Sequence, residues 1–243
     1  MKKIILVFLF LLTTISIYNI EIENIKSVPI LTIVVLRFKS EQKIKTFWDI
    51  ELGLTSLLVE KFLISGKYNV IVPLPSDLNE INKKVMSRFG KDYIKYAAGD
   101  YLIEVGKYYN ADIVLYPEIK KFSIKNLTIM NPKVGGGNFY GVDIEFHVSV
   151  VDPQYIKATH FSVSSESVGK TEAEFKSLLT DGGAWYEEML SYKEYKELAK
   201  MKFGSYEFRT SKLGQKIDFL LNQIVMNVDK FVSARTTVDE TGQ

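Results

Sequence analysis

Gly169-Lys170-Thr171, placed after a strand pattern and before a helical one, copies the end of a phosphate-binding loop. A phosphate cradle also needs a glycine five residues upstream of Gly169, because that glycine lets the loop wrap the phosphates. Ser164 stands there. Thr171 with Glu174 three residues on reads instead as a capping box. The chain has two histidines, His147 and His160. His147 alternates onto the same strand face as Asp143 and Glu145, and three such donors could hold a metal ion. With no cysteine and no third histidine, a solvated strand face is the expected reading, and no metal. Neither G-x-S-x-G nor H-E-x-x-H occurs, so no hydrolytic triad or zinc helix can be assembled by motif. Glu187-Glu188 lies in a charged helical stretch and reads as solvent-facing rather than as a general acid and base. No cofactor is expected, and the chain reads as non-enzymatic. Gly135, Gly136 and Gly137 read as a hairpin tip, since glycine supplies the positive φ of tight turns.

Recognition is the other chemistry on offer. Trp185, Tyr186, Met189, Tyr192, Tyr195, Phe203 and Tyr206 interleave with lysines over a helical stretch. Trp, Tyr and Met are enriched where proteins meet. Two readings coexist: a partner-binding surface, and a helical insert packing its own stripe onto a sheet.

The elements that must position these residues follow from periodicity. Pro29–Phe38 is apolar on both alternations, which marks a strand buried on both faces. Ile50–Ile64 has helical spacing and is stopped at Ser65-Gly66-Lys67. Tyr68–Val72 is a second strand. Ser76 or Asp77 caps a helix to about Arg88, and another helix runs from about Asp92 to Tyr109. Ala111–Tyr116 is a third strand, continuing through Pro117 to Ile124. Gly141–Val151 alternates cleanly, with Val142, Ile144, Phe146, Val148 and Val150 on one face. Lys157–Val168 returns as a fifth strand, followed by a helical, charged insert over 170–210. Leu213, Ile217, Leu220, Leu221, Ile224, Val228 and Phe231 fall on one stripe of a last helix, with Ser211 as its cap. The polar tail 235–243 is expected to be disordered. The order is βαβααβββ, insert, α. That is an α/β fold: one domain, 28–234, with a single mixed sheet of about five strands and flanking helices.

Met1-Lys2-Lys3, the unbroken apolar run Ile4–Leu12 and the increasingly polar Thr13–Ile20 have the layout of a signal peptide over 1–20. The apolar run is too short for a spanning helix, yet no clean small-x-small cleavage site follows, so cleaved signal, uncleaved anchor and a buried cytoplasmic strand all stay open. The first two place the chain outside the cytoplasm, and that is the expectation. The absence of cysteine excludes disulfides, and it excludes lipid attachment through a cysteine of this chain. The formal net charge is +2, and without Lys2 and Lys3 the chain carries 29 basic and 29 acidic residues. No overall field points to nucleic acid or to an anionic membrane.

Several blocks resemble the curli secretion channel family (CsgG-like proteins), which shares its small α/β core with outer-membrane activators of penicillin-binding proteins. They are Ile33-Val34-Val35-Leu36 followed by Gly53-Leu54-Thr55-Ser56-Leu57-Leu58; Ser65-Gly66-Lys67-Tyr68-Asn69-Val70; Val105-Gly106-Lys107-Tyr108-Tyr109-Asn110-Ala111-Asp112-Ile113-Val114-Leu115; Val150-Val151-Asp152; and Ser211-Lys212-Leu213-Gly214. The resemblance implies an accessory protein in assembly or secretion of surface structures, periplasmic and with outer-membrane association left open. Its partners would be envelope or secreted proteins, or itself as a ring. It also leaves two alternatives, an outer-membrane secretion pore subunit and a contact activator of a cell-wall synthase. The family's channel members are lipoproteins with two long hairpins per subunit. This chain has no lipidation cysteine and only one candidate hairpin, Ile119–Met130 with Tyr140–Val151.

Overall fold

The computed structural model describes residues 30–41, 43–44, 46–89, 98–131, 135–166 and 189–241. The expected signal segment, the Gly169-Lys170-Thr171 cap, Glu187-Glu188, Trp185 and Tyr186 lie outside them. In chain order the elements are β1 (Leu31–Val35), β2 (Lys39–Ser40), α1 (Ile50–Ser65), β3 (Tyr68–Ile71), α2 (Pro75–Phe89) and α3 (Ala98–Tyr108). Then come β4 (Ile113–Asn131), β5 (Gly135–Asp152), β6 (Lys157–Glu166), β7 (Leu190–Ser191), α4 (Tyr192–Leu198), α5 (Tyr206–Thr210) and α6 (Lys212–Thr241).

One mixed sheet runs β3-β1-β4-β5-β6, with β2 beside β4 and β7 beside β5. β1 is parallel to both β3 and β4. β4, β5 and β6 are antiparallel. The five principal strands are those read from the sequence; β2 and β7 are two-residue additions. β1 is covered on both faces, as its double apolar alternation requires. Ile33 and Val35 pack with Leu54, Leu58 and Phe62 of α1 and with Leu213, Ile217, Leu221 and Ile224 of α6. Val34 packs on the other side with Ile81 and Val85 of α2 and Leu102 and Val105 of α3.

Local chemistry fixes the ends of these elements. Asp49 caps α1 by accepting from the Leu52 N–H at 3.1 Å, and both its oxygens accept from Arg37 at 2.9 Å. Thr55, buried in α1, accepts from the Phe38 N–H at 2.9 Å and so ties the helix to the end of β1. Gly66 closes α1 at φ 67. At the other end of the sheet, Asp112 accepts from the Thr32 N–H at 2.9 Å, and Asp152 accepts from the Gln154 and Tyr155 N–H groups. Arg235 of α6 lies 3.3 Å from Asp152 and 3.9 Å from Asp112. This pin explains a departure from expectation. The tail from 235 continues as helix to Thr241 instead of fraying, because Arg235 is anchored and no Gly or Pro interrupts Thr236–Thr241.

Gly106 is a position where no side chain fits. A Cβ there would lie 2.5 Å from Pro153 Cγ and 2.9 Å from Val114 Cγ2. The α3 backbone therefore rests directly on β4 and on the turn after β5. Gly106→Ala is expected to lower stability by about 1–3 kcal/mol, as overpacked cores do, measured by urea unfolding; an unchanged midpoint would show that α3 can move away.

Tyr109, just after α3, donates to Asp77 Oδ2 at 2.7 Å. Burial, and then this hydrogen bond, push its phenol up to about 12. A raised phenol contributes stability in full below the unfolded value of about 10. That contribution is lost as pH rises through the folded value. Stability is therefore expected to fall between about pH 10 and pH 12, and Tyr109→Phe to flatten part of that fall. The remainder belongs to Tyr116, raised to about 12 chiefly by burial, and to Tyr68, raised by burial and Asp229.

Candidate functional site

β5 presents Val142, Ile144, Phe146, Val148 and Val150 to α1 and α6, all buried. Its other alternation, Asp143, Glu145, His147 and Ser149, faces the opposite side. The ladders add cross-strand partners to that face. Glu118 and Ser162 flank His147, His160 lies opposite Ser149, Lys121 and Ser164 flank Glu145, and Ser123 and Glu166 flank Asp143. A bulge between Ile119 and Lys121 makes this possible. It shifts the phase of β4 by one residue, so Phe122 and Ile124 return to the core side and Lys121, Ser123 and Lys125 to the polar side.

Two clusters occupy the polar face. Around Asp143, Lys121 and Lys125 approach Oδ2 at 3.4 and 3.2 Å. The carboxylate is buried, and its Oδ1 and the facing Ser123 Oγ have no hydrogen-bond partner. Next to it, His147 Nδ1 lies 3.2 Å from Ser162 Oγ, and His160 Nδ1 lies 2.8 Å from Ser149 Oγ. The two imidazoles are nearly parallel, 16° apart, with centroids 5.8 Å apart. His147 shares its face with Asp143 and Glu145, as the alternation of β5 requires. Asp143 is engaged by lysines, and the neighbour His147 acquires is His160, from another strand. The Ser149–His160 contact is not arranged as a hydrolytic pair on the evidence of burial. Ser149 is only 7 % exposed while His160 is exposed, whereas a nucleophile must be open to substrate.

The aromatic stretch packs inward for much of its length. Met189 is 1 % exposed and Phe203 is partly buried in the main core, so these two serve the interior rather than an interface. Phe203 sits against Gly53 of α1, where a Cβ would collide with its ring. Trp48 donates from Nε1 to the Met201 carbonyl at 2.8 Å and meets Phe203 and Phe208 edge-on at 5.6 and 5.3 Å. Tyr195 stacks on Tyr140 of β5, with centroids 4.0 Å apart and planes 8° apart, and Tyr192 stacks more loosely on the same ring at 6.5 Å. Tyr192 and Tyr206 are exposed, at 48 % and 79 %. A capping box at Ser191 and Glu194 starts α4 beneath them. Phe47, Trp48 and Tyr140 complete this aromatic run and were not among the expected residues. Phe47-Trp48 directly ahead of the Asp49 cap is the signal that would have found two of them.

The expected hairpin tip is displaced. Gly135, Gly136 and Gly137 are the first paired residues of β5, opposite Asn131, Met130 and Ile129. The connection between the strands, 132–134, lies outside the described residues. Glycines here let two backbones run as a ladder with no side chains on one strand.

No protein-family model matches the chain, and no curated protein matches it in sequence. Among solved structures, the hypothetical protein CT253 from Chlamydia trachomatis overlaps 85% of this chain and 99% of its own, at TM-score 0.50 and 14% identity. That likeness shows a shared fold. Lipoprotein GNA1162 from Neisseria meningitidis overlaps 70% of this chain and 99% of its own, at TM-score 0.32 and 12% identity. The LpoB C-terminal domain from Salmonella enterica overlaps 60% and 90%, at TM-score 0.31 and 10% identity. Among the described residues no helix is long and apolar enough to cross a membrane.

The stack of Tyr195 on Tyr140 is the fastening of α4 to the hairpin. Double-mutant cycles with Tyr140→Leu and Tyr195→Leu are expected to give a coupling of about 0.5–1.5 kcal/mol, the range for aromatic pairs. Strict additivity would show that α4 is held by its other contacts.

Proposed function

We propose that this chain is an exported accessory protein of the cell envelope, acting by protein–protein contact in the assembly or secretion of surface structures. The motif resemblance to CsgG-like proteins suggests the setting, and the reach of the β4–β5 hairpin carries the mechanism. Among the described residues β6 follows β5 as far as Asp143↔Glu166. Beyond that rung the hairpin continues from Ile124↔Val142 to Asn131↔Gly135, eight rungs further. At about 3.4 Å per residue this arm is ~27 Å long. Among the described residues β7 pairs with the arm at Tyr140 and Phe139, the third and fourth of those rungs. A two-stranded ribbon alone is marginal in water, so the part of the arm beyond β7 draws stability from what it docks against.

Neither alternation of the arm is uniformly apolar. In sequence, alternate residues read Ile124, Asn126, Thr128, Met130 and Lys125, Leu127, Ile129, Asn131. A lipid-facing strand presents one apolar alternation, so protein contact is favoured over a pore. Self-association belongs to the reading. β3 and β6 are the outer strands of the sheet path, and an outer strand offers backbone groups to another chain.

The test is chemical cross-linking of intact envelopes with mass spectrometry, paired with light scattering of the purified chain. The expected result is a homo-oligomer, with cross-links from 118–145 to a second envelope protein. A monomer without a cross-linked partner would overturn the proposal. Cross-links confined to a cell-wall synthase would replace assembly by synthase activation.

A further inference from the structure

We infer that His147 and His160 form a two-imidazole site for a borderline divalent transition-metal ion such as Ni2+, Cu2+ or Zn2+, on the polar face of the β5–β6 ladder. The inference stands independently of the envelope role. These are the only two histidines in 243 residues. They come from different strands, and the turn between Asp152 and Lys157 sets them one diagonal step apart on the same face.

Their partners prepare them as ligands. Each imidazole places its Nδ1 against a serine hydroxyl of the facing strand, His147 on Ser162 and His160 on Ser149. Where the hydroxyl accepts, the proton stays on Nδ1 and the lone pair is on Nε2, the arrangement that outer-shell partners impose on metal-binding histidines. The exchange is reciprocal: each strand supplies one histidine and the serine that orients the other. The rings are 16° from parallel, with centroids 5.8 Å apart. His160 lies on the outer strand and is exposed, while His147 is half-buried.

The same face defines which ion enters. Imidazole nitrogen suits Zn2+, Ni2+ and Cu2+, whereas Mg2+ and Ca2+ need sets of oxygen ligands. Two of the neighbouring carboxylates are engaged elsewhere: Glu118 pairs with Lys120 at 3.3 Å, and Asp143 with Lys121 and Lys125. Among the described residues no three histidine or carboxylate side chains converge on one ion. The protein therefore supplies two ligands and solvent the rest. A closed structural zinc site has four protein ligands, so this ion is exchangeable, and it clips the outer strand β6 to β5.

Isothermal titration of the untagged full-length chain with Ni2+ or Zn2+ alone, in a non-chelating buffer, tests this. One saturable equivalent is expected, with no binding of Mg2+. His160→Gln and His147→Gln should each weaken it at least tenfold. Ser162→Ala, which leaves both ligands in place, should weaken it by about tenfold, the lower end for loss of an orienting partner. The ion should also raise the thermal unfolding midpoint of the natural chain and leave that of His160→Gln, which lacks one ligand, unchanged. Absence of saturable binding, or binding undiminished in His160→Gln, would overturn the inference.

Discussion

β4 enters the sheet parallel to β1, over Ile113–Leu115, and then runs antiparallel to β5 through seventeen cross-strand pairs. In a ladder of period two, a slip of one residue would turn every side chain of β5 to the wrong face. Val142, Ile144, Phe146, Val148 and Val150 would then leave the core, and Asp143 and His147 would enter it. The bulge between Ile119 and Lys121 is part of the same constraint. Without it, Phe122 and Ile124 would point away from α6, and Lys121 and Lys125 would not reach Asp143. The packing of α1 and α6, the polar face and the direction of the projecting arm all depend on this register.

The residues behind the family resemblance are explained by the fold. Gly106 lets α3 rest on Pro153 and Val114, Asp112 holds the start of β1, and Asp152 shapes the turn after β5. Arg235 reaches back from α6 to both carboxylates. These positions join the two ends of the chain around one end of the sheet. They account for the architecture, and they assign no chemistry.

Elements whose evidence is local were legible. The α1 stripe, its Gly66 stop, the Ser211 cap on Gly214, and the alternation of β5 each depend on neighbours in sequence. The phase slip of β4 was also written in the chain, since apolar positions step from Ile119 to Phe122 rather than to Lys121. What escaped was set by register between strands. His160 lies thirteen residues from His147, and only the Asp152↔Lys157 closure makes them neighbours. Likewise the aromatic stretch could be read outward or inward. Its seat was supplied by Phe47, Trp48 and Tyr140, residues distant in sequence. Gly135-Gly136-Gly137 misled because glycine serves a ladder as well as a turn.

The sheet is thus a rigid base carrying a narrow arm, with an open polar face along one side. On the proposed reading, partner contact falls to the arm. Site-specific photo-cross-linking in the native envelope tests this most directly, with the reactive residue placed at exposed Asn138 on the arm or at exposed Lys83 on α2. The account predicts a discrete adduct with another polypeptide from position 138 and none from position 83. Equal labelling from both positions, or an adduct from position 83 alone, would contradict it.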